Sequence, residues 1–343
     1  MKKIAIVSRD IFSKTNQRIR QQVYSLLKSN TFDVTYFNLT AFSDKVNDDS
    51  MGRFFSYQIN CLPVIEYFVN SRFKNRSFIL DDFDVIITNV FEFTWRDKRK
   101  IIFLYHDDFI EQSKFLTRPF VKKRLFKFLK GLKEYQILSQ SPCFSFLKEI
   151  EFTLFSPWTE YSFVEPKYPR SQDSRRLLYF GFMDNRIDFK LIVFLATQGY
   201  KIDFVGRIVK NRSWYLEFFS RFDNVDYLGE LPIAELDSSK YYASLSCYKP
   251  SDSGVHKMFI GNRTLKLFSK FIPVIHVKLP CLFEFDVEFF KLYNTKYECV
   301  NLIESFKVLR FKKEDFYRVL EEHSERTRLS VLLSSIEKID EIK

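Results

Sequence analysis

Glycine and cysteine are scarce in this sequence of 343 residues, which has eight glycines and five cysteines. The loop after the first apolar segment contains no glycine, so the G-x-G-x-x-G pattern of dinucleotide-binding proteins is absent there and a dehydrogenase is excluded. The cysteines are scattered, and no two form a C-x-x-C pair. This usage argues against a structural zinc site and suits a reducing cytoplasm.

Long apolar runs are also missing. No run approaches the ~18–20 residues that are needed to span a bilayer. The first ten residues, MKKIAIVSRD, have a short apolar run before Ser8 and Arg9, so we expect a first strand there rather than a signal peptide. Hydrophobic residues make up 46% of the chain, which excludes extensive disorder, and the length allows two domains with separate cores.

Acidic residues are outnumbered, with 43 Asp and Glu against 54 Lys and Arg, which gives a net charge of +11. A basic chain of this kind is expected to bind an anionic partner. The candidates are nucleic acid, an anionic membrane and phosphorylated substrates. No zinc finger, RNP sequence or other nucleic-acid motif accompanies the charge, so we expect no nucleic-acid partner. Nucleic-acid binding stays open as an alternative that rests on charge alone.

Strands and helices alternate along most of the chain, which predicts an α/β fold with parallel sheets. Prolines and the polar segment SQDSRR near residues 157–176 indicate a linker. We therefore expect an N-terminal domain over 1–165, a C-terminal domain over 166–320, and a last helix over 321–343 that packs back on the first domain. Within the second half we expect strands at 177–183, 201–206, 225–230, 243–248 and 274–277, and a helix at 233–242.

The stretch NRTLKLFSKFIPVI, residues 262–275, combines a predicted helix, a predicted strand and a candidate anion site in the second half of the chain. It predicts a short helix with Asn262 as its N-cap, ended by Pro273 and followed by a buried strand. Arg263 and Lys266 lie on one face near the helix N-terminus, where the backbone N–H groups favour an anion. A phosphate site and an ordinary basic amphipathic helix both fit this pattern.

Two acidic clusters precede or follow predicted strands. Residues 81–84, DDFD, contain a D-x-D that could hold a divalent cation, but a solvated turn is the interpretation that we favour. His106, Asp107 and Asp108 follow a strand at its carboxyl end, where ligands bind in open α/β sheets. One of these carboxylates could act as a general base, or the pair could simply cap a helix.

Residues 114–133 hold a concentration of positive charge without a single Asp or Glu. Apolar residues recur along one side, as in a helix that lies on an anionic membrane, although a helix packed into a core would show the same pattern. The predicted membrane or acceptor surface comprises Lys122, Lys123, Arg124, Lys127, Phe128 and Lys130.

The order of motifs in the second half resembles the donor-binding domain of GT-B glycosyltransferases. The segments are YFGFM, FVGR, NVDYLGELP, SLSCYKP and NRTLKLFSKFIPVI, and together they cover about residues 177–277. The chain is also similar to the bacterial β-glucuronosyltransferases of xanthan assembly, which share a Gly-x-Met at the first strand, matched here by Gly181, Phe182 and Met183. The resemblance implies two Rossmann-like parallel-sheet domains that face a central cleft, the first for the acceptor and the second for a nucleotide-sugar donor.

The resemblance also implies roles for individual residues. Asp107 or Asp108 would be the catalytic base, and the donor, linked to UDP or GDP, would need neither a metal nor another cofactor. The acceptor would be a lipid-linked saccharide in surface polysaccharide or lipopolysaccharide synthesis, on the inner face of the cell membrane, with the enzyme peripheral and cytoplasmic. The residues implied for donor binding are Gly181, Met183, Arg207, Glu230, Leu231, Tyr248, Arg263 and Lys266.

Some positions depart from the family pattern. Lys266 stands where an acidic or amide residue commonly contacts the ribose, and Phe271 replaces the glycine that ends the helix. The two glutamates of retaining members correspond to Met258 and Lys266, which favours an inverting hexosyl- or glucuronosyltransferase. The alternative is a catalytically degenerate, membrane-associated relative that still binds sugars.

Overall fold

The computed structural model describes residues 1–8, 19–30, 32–38, 54–56, 80–91, 97–106, 118–144, 149–159, 176–209, 211–252, 255–256 and 258–341. The chain divides into two compact units. Unit 1 comprises residues 1–156 and 325–343, and unit 2 comprises residues 157–324. Each unit has its own parallel sheet and its own apolar core.

Unit 1 contains a parallel sheet of seven strands in the order β3-β2-β1-β4-β5-β6-β7. Its strands are β1 (Lys3–Ser8), β2 (Asp33–Asn38), β3 (Phe54–Ser56), β4 (Val85–Thr88), β5 (Ile101–Tyr105), β6 (Ile137–Ser139) and β7 (Thr153–Leu154). Its helices among the described residues are α1 (Ile19–Ser29), α2 (Arg118–Leu129) and, from the end of the chain, α8 (Glu325–Asp340). Strands β1, β4 and β5 are short apolar runs, as expected for strands covered on both faces.

Helix α2 packs its apolar side into the core of unit 1. Val121, Leu125 and Leu129 are buried in the same cluster as Phe103 of β5. Phe128 belongs to this core as well, because it is only 4% exposed and its ring meets that of Phe103 at 5.1 Å. The structure therefore places Phe128 away from the predicted membrane surface.

Helix α8 is part of unit 1 although it follows all of unit 2 in the chain. Leu332, Ile336 and Ile339 are buried along one of its sides. Near its end, Asp340 forms an ion pair with Lys2 at the start of the chain.

Unit 2 contains a parallel sheet of six strands in the order β10-β9-β8-β11-β12-β13. Its strands are β8 (Arg176–Phe180), β9 (Lys201–Val205), β10 (Val225–Gly229), β11 (Tyr241–Ser246), β12 (Val274–Val277) and β13 (Phe290–Tyr293). Its helices among the described residues are α3 (Phe189–Thr197), α4 (Arg212–Phe219), α5 (Asn262–Phe268), α6 (Lys296–Val308) and α7 (Lys313–Glu322). The predicted α/β class, with two parallel sheets, is confirmed.

The helix that we predicted over 233–242 does not form. Residues Ile233–Glu235 and Ser238–Lys240 make two single 3-10 turns, and Tyr241 already begins β11. Asp237 explains the interruption, because its side chain accepts hydrogen bonds from the backbone N–H of Ser239 at 3.2 Å and from its hydroxyl at 2.7 Å. Such local bonds compete with the bonds of a helix.

Helix α5 ends in a Schellman motif that has Phe271 where a glycine is usual. The N–H of Ile272 bonds to the carbonyl of Leu267 at 3.0 Å, and the N–H of Phe271 bonds to that of Phe268 at 2.9 Å. Phe271 has a φ of 56°, which is left-handed and unfavourable for a side chain of this size. Its ring is buried against α7, 5.5 Å from the rings of both Phe316 and Tyr317. The departure from the family pattern therefore preserves the turn and adds a packing contact.

Substitution of Phe271 separates the cost of the turn from the gain in packing. Phe271→Gly should lower the free energy of unfolding by about 2 kcal/mol, since the lost ring contacts outweigh the relieved strain. Phe271→Ala loses the ring and keeps the strain, so it should be about 1 kcal/mol less stable than Phe271→Gly. Urea denaturation of the two variants measures the difference. An alanine variant at least as stable as the glycine variant would show that the backbone at this position carries no strain.

Candidate functional site

Three glycines mark the carboxyl end of the sheet in unit 2. Gly181, Gly206 and Gly229 lie at the ends of the neighbouring strands β8, β9 and β10, and all three have φ values, 141°, 138° and 81°, that favour glycine. The strand order reverses between β8 and β11, which is the position where open α/β sheets bind ligands. Gly181 is therefore beside the place where the fold itself predicts a site.

The glycines allow the strand ends to approach one another closely. The N–H of Gly181 bonds to the carbonyl of Val205 at 2.9 Å, and the N–H of Gly206 bonds to that of Gly229 at 2.8 Å. A Cβ on Gly206 would lie 2.7 Å from the carbonyl carbon of Gly181, which is closer than real Cβ contacts. A side chain at Gly206 would consequently push the end of β8 out of place.

Arg263 reaches this strand end from helix α5. A Cβ on Gly181 would lie 2.8 Å from Cδ of Arg263, so the arginine occupies the space that the missing side chain leaves. The Arg263 guanidinium carbon is 5.5 Å from the ring centroid of Tyr179 and 5.1 Å from that of Tyr248, and Nη1 is 3.5 Å from the Tyr179 hydroxyl oxygen. Two aromatic rings and a glycine thus hold one cation at the switch point of the sheet.

Helix α5 differs in one detail from the prediction. Its N-cap is Gly261, and Asn262 is the first helical residue instead of the N-cap. The Asn262 side-chain oxygen is buried and has no hydrogen-bond partner among the described residues. Arg263 is consequently in the first turn of the helix, as the sequence predicted.

Three buried titratable groups that interact with Arg263 are uncharged near neutral pH. Burial raises the pKa of the Tyr179 hydroxyl, and it raises the pKa of the Cys247 thiol to about 12. Burial also lowers the pKa of His276, on β12, to about 4, and the positive charge of Arg263 contributes to this shift. These three groups do not neutralise the positive charge of Arg263. Asp184, the carboxylate that interacts with this charge, is already paired with Arg186, so the site still suits an anion.

An acidic residue that we did not predict as part of the site lies in the loop after Gly181. The carboxylate of Asp184 accepts hydrogen bonds from the guanidinium of Arg186. Nε lies 3.0 Å from both carboxylate oxygens, and Nη2 lies 2.5 Å from Oδ2. Burial alone would raise the pKa of Asp184, but the bonds from Arg186 and the charge of Arg263 hold it below its usual range. The loop is fixed to the end of β11, since Lys249 donates its N–H to the Arg186 carbonyl at 2.8 Å and its ammonium to the Asn185 carbonyl at 2.6 Å.

The other predicted donor residues occupy varied surroundings. Met183 is fully buried, and its N–H bonds to the carbonyl of Arg207 at 2.8 Å, while the Arg207 side chain is exposed. Glu230 is exposed after β10, and Leu231 packs against the apolar cluster that contains Leu265 and Phe268 of α5. Lys266 is half-buried, and burial lowers its pKa. The roles of these residues stay predictions.

The predicted residues of unit 1 are only partly described. Asp107 and Asp108 lie outside the described residues, directly after His106, whose Nδ1 is 3.2 Å from the Leu104 carbonyl oxygen. Asp84, from the D-x-D sequence, accepts from the N–H of Lys3 at 3.0 Å. On α2 and in the turn that follows it, the predicted surface retains the exposed residues Lys122, Lys123, Lys127 and Lys130 and the half-buried Arg124.

Comparison with known proteins gives matches in structure alone. No family model matches the sequence, and no curated protein does.

Several solved structures are similar over almost the whole chain. Anabaena HepE, in complex with UDP and glucose, is 11% identical with a TM-score of 0.67, covering 98% of this chain and 100% of its own. A glycosyltransferase from Rickettsia africae is 12% identical with a TM-score of 0.65, covering 98% of each chain. AviGT4, a glycosyltransferase involved in avilamycin A biosynthesis, is 10% identical with a TM-score of 0.56, covering 99% of this chain and 98% of its own. These three structures are GT-B glycosyltransferases, and this chain has the GT-B fold.

Proposed function

We propose that the protein is a glycosyltransferase that moves a sugar from a nucleoside diphosphate-sugar to a saccharide acceptor. The observation that supports this most strongly is Arg263, held by Gly181, Tyr179 and Tyr248 at the switch point of unit 2. Structures of the same fold include HepE, whose complex contains UDP and glucose. A fixed cation at this position suits a diphosphate group.

In this proposal Arg263 stabilises the charge that grows on the diphosphate as it leaves the sugar. A preorganised cation near aromatic rings is more effective than a cation in water, because it needs no reorganisation during the reaction. Arg207 and Lys266 are further cations for the same group, so the reaction needs no divalent metal. Asp107 or Asp108 removes the proton from the acceptor hydroxyl, which then attacks the anomeric carbon with inversion.

We further propose a lipid-linked acceptor, a role in surface polysaccharide or lipopolysaccharide synthesis, and a peripheral position on the cytoplasmic face of the membrane. None of the described helices has the length and apolar character of a membrane span. The apolar side of α2 is used in the core of unit 1, so contact with lipid would depend on its basic side and on the exposed Phe120. Such binding is electrostatic and should weaken with salt.

Sedimentation with anionic vesicles tests this proposal. We expect the protein to sediment with the vesicles at low salt, and we expect the double variant Lys123→Glu/Lys127→Glu to lose this binding. Vesicle binding that changes neither with salt nor with the substitutions would contradict the proposal.

The activity is tested by release of nucleoside diphosphate from UDP-glucose, UDP-glucuronate or GDP-mannose in the presence of a bacterial lipid extract. We expect release with one of these donors, and we expect Asp107→Asn or Asp108→Asn to lower kcat by about 10²–10⁴-fold, the usual contribution of a general base. Binding without release would favour a degenerate sugar-binding relative. The absence of both donor binding and diphosphate release would contradict the proposal.

A further inference from the structure

An exposed aromatic side chain follows Gly181 directly. Phe182 is 63% exposed, although the residues on both sides of it are part of a closely packed strand end. Its carbonyl oxygen accepts a hydrogen bond of 2.8 Å from the hydroxyl of the fully buried Tyr179. The backbone that carries this ring is consequently fixed, and the exposure of Phe182 is not the result of a loose loop.

The direction of Phe182 follows from its neighbours. Met183 forms a parallel bridge with Ile208 and is buried in the core cluster, against which Ile208 also packs. Side chains alternate along an extended segment, so Phe182 points to the side opposite Met183. On the other strand, Arg207 and Val209 flank Ile208 in the same way, and both are exposed. An apolar ring, an apolar aliphatic group and a cation thus share the outer side of this strand end.

Phe182 is also adjacent to the site of the proposed function. The preceding residue, Gly181, is in contact with the side chain of Arg263. We propose that Phe182 contacts the donor sugar, with its ring against the apolar C–H face of the pyranose, and so contributes to selection of the donor. This inference rests on the proposed function, because it requires the diphosphate to lie at Arg263.

The covalent order of a nucleoside diphosphate-sugar supports the sugar as the group that meets Phe182. The sugar is bonded directly to the diphosphate, whereas the nucleobase is separated from it by the ribose. The ribose is also bonded directly to the diphosphate, so a ring that is one residue away from the diphosphate cation is near one of these two sugars, and we assign it to the transferred one. Aromatic side chains provide rigid apolar area in ligand sites, and polar groups beside them fix orientation.

Calorimetric titration of the full chain with matched pairs of ligands tests the proposal. The pairs are UDP-glucose with UDP and GDP-mannose with GDP. The members of each pair differ in the sugar and in the charge of the terminal phosphate, and each ligand is compared between the variant and the wild type. We expect Phe182→Ala to weaken binding of the sugar-nucleotide about tenfold and to change binding of the free diphosphate less than about twofold. Phe182→Trp and Phe182→Tyr should keep most of the affinity for the sugar-nucleotide. Tyr297→Ala, which removes a ring that is 64% exposed on α6, is the matched control and should change neither affinity.

Each outcome decides between sugar contact and its alternatives. Equal affinities in the wild type and Phe182→Ala would overturn the proposal. An equal loss for both members of a pair would also overturn it, because it would indicate contact with the base, the ribose or the phosphates, or an effect on the fold. If the wild-type protein binds neither pair, the proposed function itself fails, and this inference fails with it. A selective loss for the sugar-nucleotide is the result that supports the assignment.

Discussion

Arg263→Ala should weaken binding of a nucleoside diphosphate by about 10²–10³-fold, which is the usual range when one partner of a desolvated charge pair is removed. The guanidinium is already in position, because Gly181 leaves it space and the Tyr179 and Tyr248 rings flank it. Calorimetry with UDP and GDP measures the loss. We expect kcat for the accepted donor to fall as well, since the charge on the leaving diphosphate is largest in the transition state.

Two comparisons make the Arg263 experiment specific. Arg263→Lys keeps the charge and loses the planar fork, so its affinity should lie between those of the wild type and the alanine variant. Arg221→Ala removes an arginine that pairs with Glu217 on the exposed side of α4, and it should leave the affinity unchanged. Stability of the ligand-free Arg263→Ala protein should fall by no more than about 1 kcal/mol, the usual size of the ring contacts that are lost. An affinity equal to that of the wild type would exclude Arg263 from the donor site.

Gly206→Ala should cause the largest loss of stability, about 3–5 kcal/mol, because its Cβ would overlap the backbone of Gly181. Backbone cannot move aside as a flexible side chain can, so the end of β8 would have to shift. That end carries Phe182 and accommodates Arg263, and nucleotide binding should be lost together with stability. Chemical denaturation and calorimetry on the same preparation measure both effects.

Gly199→Ala is the matched control for Gly206→Ala. Gly199 also has a positive φ, 83°, but a Cβ there meets no atom of the described residues within 4 Å. Its substitution should cost only the conformational penalty, about 1 kcal/mol, and leave nucleotide binding intact. If the two variants were equally stable, the close approach of the strand ends in unit 2 would be disproved.

The sequence predicted five of the six strands in unit 2, because these strands appear as short apolar runs and β8, β9 and β10 end at or beside a glycine. It did not predict that Asp237 would replace the helix at 233–242 by turns, since apolar periodicity says little about competing local hydrogen bonds. Asn262 is a favoured N-cap residue, yet Gly261 is the cap, and helix ends are often displaced by one residue.

The site was harder to predict than the fold. Arg263 and Gly181 were each predicted from their own motifs, but their contact joins positions 82 apart in the chain and depends on the way α5 returns to the sheet. Phe271 shows that a departure in sequence need not change the structure. It replaces the glycine of the family pattern, yet it keeps the left-handed turn at the end of α5. The roles of Asp107 and Asp108 remain predictions from sequence.

The most direct test of the central claim is the melting temperature of the purified protein with a panel of nucleoside diphosphates and their sugars. A ligand that binds only the folded state at 100 times its Kd stabilises it by about 2.7 kcal/mol, which corresponds to about 5–10 °C for a unit of this size. We predict that at least one UDP- or GDP-linked sugar raises the melting temperature by this amount, and that Arg263→Ala abolishes the rise. A panel without any shift, or a shift that Arg263→Ala leaves unchanged, would contradict a donor site at the switch point of unit 2.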